Sequence, residues 1–337
     1  MTISVVIPTY ARPALLETTL TSVIRQTHAD LEVLVCDNAD DDRVAALIER
    51  LADARIRHIR REHNLGMQRN LLLGFAAARG DYLFKLDDDD LPAPEALERL
   101  HAALQQHPAA SVAFGRLLEF HEREAARATP CSAALPAGIT TDFGDLAATG
   151  RMSLAASLIR RSAFERIQVD PRSATAYDLD ILLRLDDDGA IAVHVPEAEV
   201  HYRRHDAADS VLAPVRQGLG ALAVLDAARA RRSPDLPLSP GFTIAYETAA
   251  LLAARGLLRN GEGKRAREVL RSLPAQIDSR PIRRLRAATR LPRLARPVAR
   301  LAHLIYQRKL TRSGARTSEP TAGTAPSPAP SDYERLV

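Results

Sequence analysis

The chain has 337 residues, 46% of them apolar and 26% charged, so it can build a sizeable core and is not a disordered tail. Its net charge of +4 is unevenly spread: residues 1–279 carry 33 Lys+Arg against 39 Asp+Glu, while 280–316 carry 12 basic residues and no acid. The body therefore lacks the cationic surface of a nucleic-acid protein, and Cys36 and Cys131 are too few for a disulfide framework or a zinc site, which points to a reducing compartment.

The N-terminus enters a strand pattern at once, Ile3-Ser4-Val5-Val6-Ile7, with no basic-then-apolar leader. No 18-residue apolar run follows anywhere, so the protein is expected to be cytoplasmic. Pro8 stops the first run, and Pro13 opens a helix with Leu15, Leu16, Leu20, Val23 and Ile24 at helical spacing. A second strand, Leu31 to Cys36, ends at Asp37-Asn38; Asp40, Asp41 and Asp42 then precede a helix carrying Val44, Leu47, Ile48 and Leu51. A third strand is expected at Ile56 to Ile59, a turn at Asn64-Leu65-Gly66 and a helix from about Gln68 to Ala78. Strands alternating with helices predict a doubly wound, mostly parallel α/β sheet of the Rossmann-like kind, with ligands at the carboxyl ends of its strands. Thr9, Asp37 and Asp87 lie at such ends.

The fourth strand, Tyr82 to Leu86, runs straight into Asp87-Asp88-Asp89-Asp90. Four carboxylates at a strand end repel one another, and a cation there lowers the cost of ionising them. Hard oxygen ligands one residue apart suit Mg²⁺ or Mn²⁺, which in turn hold phosphates, so Asp87 and Asp89 read as a DxD metal site. A competing reading has Asp90 as the N-cap of the helix that Pro92, Pro94 and Glu95 open.

The order Val5-Val6-Ile7-Pro8-Thr9-Tyr10, Val35-Cys36-Asp37-Asn38, Asn64-Leu65-Gly66 with Arg69-Asn70, and Leu86-Asp87-Asp88-Asp89-Asp90 resembles the family 2 glycosyltransferases of the GT-A fold. The likeness continues through Tyr177-Asp178-Leu179-Asp180 to Tyr202-Arg203-Arg204-His205 and so covers about the first 210 residues. It implies an inverting, metal-dependent transfer of sugar from a nucleotide-diphosphate donor to a hydroxyl acceptor, a sugar or a lipid-linked one, in cell-envelope polysaccharide or glycolipid synthesis. Carried over, Pro8, Thr9 and Tyr10 lie beside the nucleotide base and Asp37 accepts a hydrogen bond from its ring. Arg69 stands near the nucleotide, and Asp87 touches ribose or metal. Asp89 binds the Mn²⁺ or Mg²⁺, and His205 completes the metal site or meets the diphosphate. Asp178 matches the general base, ahead of Asp180, although Tyr177 replaces the acid that usually precedes it.

Rival classes are weighed on the same residues. The turn Pro8 to Pro13 has no glycine, against a dehydrogenase or a nucleotidyltransferase. A haloacid-dehalogenase-type phosphatase also uses DxD, but on its first strand; here the motif is on the fourth. A non-catalytic nucleotide-sugar binding module would not need the intact DxD. A second acidic run, Asp186-Asp187-Asp188, follows a helix and ends in Gly189, and reads as a solvated turn.

Strands are expected at Val112 to Phe114, Leu154 to Ile159, Ala190 to Val195 and Val200 to Tyr202, with a loop insertion over Glu122 to Ser132. The transferase domain is assigned to 1–212. A helical extension follows over 213–279, as a hairpin interrupted by Pro234, Pro237 and the turn Asn260-Gly261. Residues 280–312 form a basic arm in which Leu294, Val298, Leu301 and Ile305 share a helical face, with Pro292 and Pro297 confining regular helix to its later part. Such a segment suits an anionic membrane surface, so peripheral attachment to the inner face of the plasma membrane is expected. Residues 313–337 read as disordered.

Overall fold

A computed structural model describes residues 1–39, 41–121, 129–130, 135–204, 214–232 and 236–289, which fall into two compact units, 1–204 and 214–289. The boundary expected at 212 lies outside the described residues.

Its strands are β1 Ile3–Thr9, β2 Leu31–Asp37, β3 Ile56–Arg60, β4 Tyr82–Lys85, β5 Leu91–Pro92, β6 Val112–His121, β7 Thr129–Pro130, β8 Gly138–Thr140, β9 Ser157–Arg160 and β10 Ala192–Arg204. They form one sheet in the order β3-β2-β1-β4-β9-β6-β10-β5, with β7 on β6 and β8 on β10. Pairing is parallel through β3-β2-β1-β4 and between β6 and β10, and antiparallel on both sides of β9. The expected α/β architecture is present. All seven residues of β1 are buried, as a central parallel strand covered on both faces requires.

The covering helices are α1 Pro13–Ile24, α2 Arg43–Leu51, α3 Met67–Ala77, α4 Ala96–Gln106, α5 Gly144–Ala148, α6 Arg161–Phe164 and α7 Tyr177–Asp187. Leu16, Leu20 and Val23 of α1, Val44 and Leu47 of α2, and Leu97, Leu100 and Leu104 of α4 enter a single core with Val5, Val33 and Phe84. Asp40 lies outside the described residues, and so does nearly all of the insertion expected at Glu122 to Ser132.

Two local expectations change. The strands expected at 190–195 and 200–202 are one strand, β10, whose register against β6 shifts between His194 and Glu199. A Cβ on Gly115 of β6 would sit 1.9 Å from the Ala198 carbonyl oxygen, so only glycine lets β6 pass this irregular stretch. Asp90 is not a helix cap: Glu95 holds the N-cap position of α4, and the Asp90 carboxylate accepts the Arg203 backbone N–H at 3.1 Å.

The second unit consists of α8 Pro214–Arg232, α9 Pro240–Arg259, α10 Gly263–Ser272 and α11 Arg280–Ala288. Among the described residues Pro237 lies between α8 and α9, where its missing N–H disfavours a continuous helix. Helix α11 is a correction: Ile282, Leu285 and Ala288 are buried, so the unit runs past 279 and the first part of the expected basic arm is packed helix. Residues 290–337 lie outside the described residues, and with them the apolar face at 294–305 and the expected tail.

Candidate active site

The site is built where β1, β2 and β4 end side by side. After Thr9 the chain turns through Tyr10 and Ala11, and Ala11 takes a left-handed φ of 57°. For a residue with a Cβ that conformation costs about 1–3 kcal/mol, which the surrounding contacts must offset. What holds the turn is the acid run itself. Thr9 Oγ1 donates to Asp88 Oδ2 at 2.6 Å, while the Arg12 guanidinium reaches Asp88 Oδ1 at 2.7 Å and Asp89 Oδ2 at 3.1 Å.

The four carboxylates, on the turn that follows β4, differ in their surroundings. Asp88 and Asp90 turn inward, at 1% and 0% exposure. Burial pushes the Asp88 carboxyl up to about 7 despite Arg12 and Thr9 pulling the other way. Burial pushes Asp90 well above the carboxylate range too, with repulsion from Asp87 and Asp89 adding to it, and its Oδ2 has no hydrogen-bond partner. Asp87 is half-buried, and Asp89, also buried, shares Arg12 with Asp88.

Lys85 closes the arrangement from below. It is the last residue of β4, 2% exposed, and its Nζ donates to Asp87 Oδ2 at 2.7 Å and to Asp178 Oδ2 at 3.1 Å. Burial pulls its pKa down, but Asp178 and Asp87 hold it well above the ordinary lysine value. The Tyr177 ring lies against the ammonium, 5.9 Å to its centroid. Helix α7 thereby brings Asp178, 91 residues after Asp87, to the same cation. The Asp178 carboxyl is raised from its usual range, first by burial and then by Asp87, with Lys85 opposing; its Oδ1 is unpartnered. Asp180, by contrast, is fully buried, accepting from the Asp170 N–H and from Arg184 Nε, both at 2.8 Å. That makes it a structural brace for the loop before α7.

Of the remaining expected residues, Pro8 and Thr9 end β1 beside the acid run, Tyr10 is exposed on the rim and Arg69 is exposed in the first turn of α3. Asp37, at the end of β2, is wholly buried; its oxygens meet the Ala39 N–H at 2.9 Å and His58 Nε2 at 3.2 Å, which shapes the turn after the strand. His205 lies outside the described residues. Sequence reading missed Arg12, Lys85 and Asn70. Asn70 Nδ2 donates to the Cys36 carbonyl at 2.6 Å and its Oδ1 accepts from Arg61, tying α3 to the end of β2. The signal for Lys85 was available: a lysine inside an otherwise apolar strand, two residues before the acid run.

Among the described residues no three His, Cys, Asp or Glu side chains converge as a ready-made metal cage. The donor set still fits a divalent cation of the kind that takes one or two carboxylates and leaves its other positions to phosphate and water oxygens.

Comparison with known proteins bears directly on this geometry. Residues 4–168 match the family described as glycosyl transferase family 2. A UDP-Glc:alpha-D-GlcNAc-diphosphoundecaprenol beta-1,3-glucosyltransferase of Escherichia coli, WfgD, is 31% identical over 91 residues, 26% of this chain and 35% of that protein. The matched stretch spans about a third of the length of such curated relatives. Among solved structures, Staphylococcus aureus TarS 1–349 in complex with UDP-GlcNAc superposes with a TM-score of 0.59 at 14% identity, over 89% of each chain. A mannosyltransferase of Pyrobaculum calidifontis in complex with GDP-Man and Mn²⁺ gives 0.52 at 18% identity, over 89% of this chain and 86% of that one. At these identities the two structures establish a shared fold.

Proposed function

The chain carries a family 2 glycosyltransferase domain, and from that premise we propose that it is an inverting glycosyltransferase moving a sugar from a nucleotide-diphosphate donor to a hydroxyl acceptor. The observation that carries this reading is the meeting of Asp87 and Asp178 on one buried ammonium, which joins the donor end of β4 to a partnerless carboxylate oxygen on α7.

In the reaction, Asp178 accepts the proton of the acceptor hydroxyl as its oxygen forms a bond to the anomeric carbon. The bond from that carbon to the diphosphate oxygen breaks and its electron pair leaves with the nucleotide; Asp178 later returns its proton to water. A burial-raised carboxyl suits this task, since its basicity lies nearer to working pH than that of a free aspartate. A divalent metal held by Asp89 and Asp87 would supply positive charge against the charge that builds on the leaving diphosphate. Arg12 and Lys85 keep the run of acids folded in its absence, lessening the mutual repulsion of these groups. Thr9 and Tyr10 line the donor side, with Arg69 at its edge.

A lipid-linked acceptor is the favoured substrate class, supported by the diphosphoundecaprenol substrate in the name of the E. coli relative. Helix α11 adds to this: Arg280, Arg283 and Arg284 stand exposed around its buried apolar face, at the head of a segment with twelve basic and no acidic residues. Arginines near an anionic bilayer attract it by about 1 kcal/mol each. Among the described residues no helix is long and apolar enough to cross a membrane, so attachment by this segment would be peripheral. Vesicle co-sedimentation with and without residues 290–337 tests it, equal binding by both forms counting against the arm. The activity is tested by screening nucleotide sugars for transfer and donor hydrolysis with Mn²⁺, with Mg²⁺ and in chelator. Turnover confined to the metal-containing samples supports the reading; full turnover in chelator contradicts the metal's role.

A further inference from the structure

Resting on the assignment of Asp178 as base, we propose that Lys85 is a positioning residue for catalysis: it pins Asp178 Oδ2 and thereby fixes the orientation of the carboxylate that accepts the proton. The argument starts from where the lysine sits. A strand covered on both faces has little reason to carry an ammonium, since burying an unpaired charge is costly and a long aliphatic side chain would fill the same space. Tyr82, Leu83 and Phe84 obey that rule, and the strand breaks it only at Lys85, its final residue.

Three contacts specify the ammonium's position. Asp87 Oδ2 lies 2.7 Å away along the same strand end, which anchors the cation to the sheet. Tyr177, 3% exposed, walls it on one side. The remaining contact goes to Asp178 Oδ2 at 3.1 Å. With one oxygen held by the ammonium the Asp178 carboxylate is oriented, while its other oxygen is buried and without a hydrogen-bond partner. A carboxylate that accepts a proton efficiently has to meet the hydroxyl at hydrogen-bond distance, and a rigid neighbour is what secures such placement. Lys85 itself has no free route to substrate, because it is 2% exposed. Its effect passes through Asp178, which separates a positioning role from a catalytic one.

The test compares Lys85→Met, Lys85→Arg, Asp178→Asn and the Lys85→Met/Asp178→Asn pair in the full chain, with steady-state transfer using whichever nucleotide sugar the wild type turns over. Lys85→Met should lose turnover on the order of 10- to 100-fold, the range in which contacting residues couple, while the donor KM rises less. Lys85→Arg, which keeps the charge on a longer stem, should recover part of the loss. The double variant should turn over no more slowly than Asp178→Asn, within about twofold, because a residue acting through Asp178 has nothing left to act on. Unchanged kcat in Lys85→Met, a rise in donor KM alone, or a further tenfold loss in the double variant would each overturn the proposal. If Lys85→Met does not fold, the neutral but polar Lys85→Gln decides: reduced turnover with donor KM held supports positioning, and wild-type turnover refutes it. Asp178→Asn keeps the two ideas apart, since full turnover there removes the base assignment itself, whereas its loss alongside an active Lys85→Met removes only the role of Lys85.

Discussion

Two acidic runs of almost the same composition have opposite fates in this molecule. Asp87 to Asp90 follow the end of a buried parallel strand, where two cations, Arg12 and Lys85, converge on them and two of the four carboxyls are driven well above their usual range by burial. Asp186 to Asp188 close α7 and lead to Gly189, whose φ of 75° reverses the chain; there Asp186 accepts the Phe143 N–H at 2.8 Å and Asp188 pairs with a half-exposed Arg166. Composition alone does not make a site. Charge that is taken out of water and tethered to a strand end becomes chemically distinctive, whereas charge at a helix end serves the turn.

That contrast should break most sharply at the base. Asp178→Asn keeps the shape and the contact to Lys85 but cannot take a proton, so turnover should fall by about 10² to 10⁴ with nucleotide affinity retained, read by steady-state kinetics and calorimetric titration. Asp89→Asn removes charge from the proposed metal position. Its turnover should drop by roughly 10² and Mn²⁺ titration of nucleotide binding should weaken, since the metal contributes several kcal/mol of charge stabilisation. The pH profile supplies a third test. Burial raises the Asp178 carboxyl, transfer needs its ionised form, and activity is therefore lost as pH falls through that raised value. The acidic limb of kcat should lie above the value of about 3.9 for a free aspartate.

Smaller effects sharpen the same comparison. Thr9→Val deletes the donor to buried Asp88 and should lower stability by about 1–3 kcal/mol, seen as a reduced denaturation midpoint. In the second run, Asp188→Asn breaks an ion pair whose arginine is 51% exposed. Its cost should stay below about 1 kcal/mol with turnover unchanged.

Much of this was legible in the sequence. Strand-helix alternation, the carboxyl-end positions of Thr9, Asp37 and Asp87 and the place of Asp178 in a helix's first turn follow from local pattern, because β-branched runs, prolines and capping acids act over a few residues. What stayed hidden depends on distance. Lys85 meets Asp178 across 93 positions, and the bond of Arg203 to the Asp90 carboxyl spans 113, so neither contact has a local signature. The same holds for Asp37: its motif marks a strand end, but only the fold shows its contact with His58, 21 positions away. At α11 the apolar spacing of Ile282, Leu285 and Ala288 was readable, yet the charge of the segment drew attention away from it.

The central claim is a single displacement with Asp178 as base, and the anomeric configuration of the product reports on it most directly. Proton NMR of the first product formed from a donor of known configuration should show inversion at the anomeric carbon; a product with the donor's configuration retained would contradict the account.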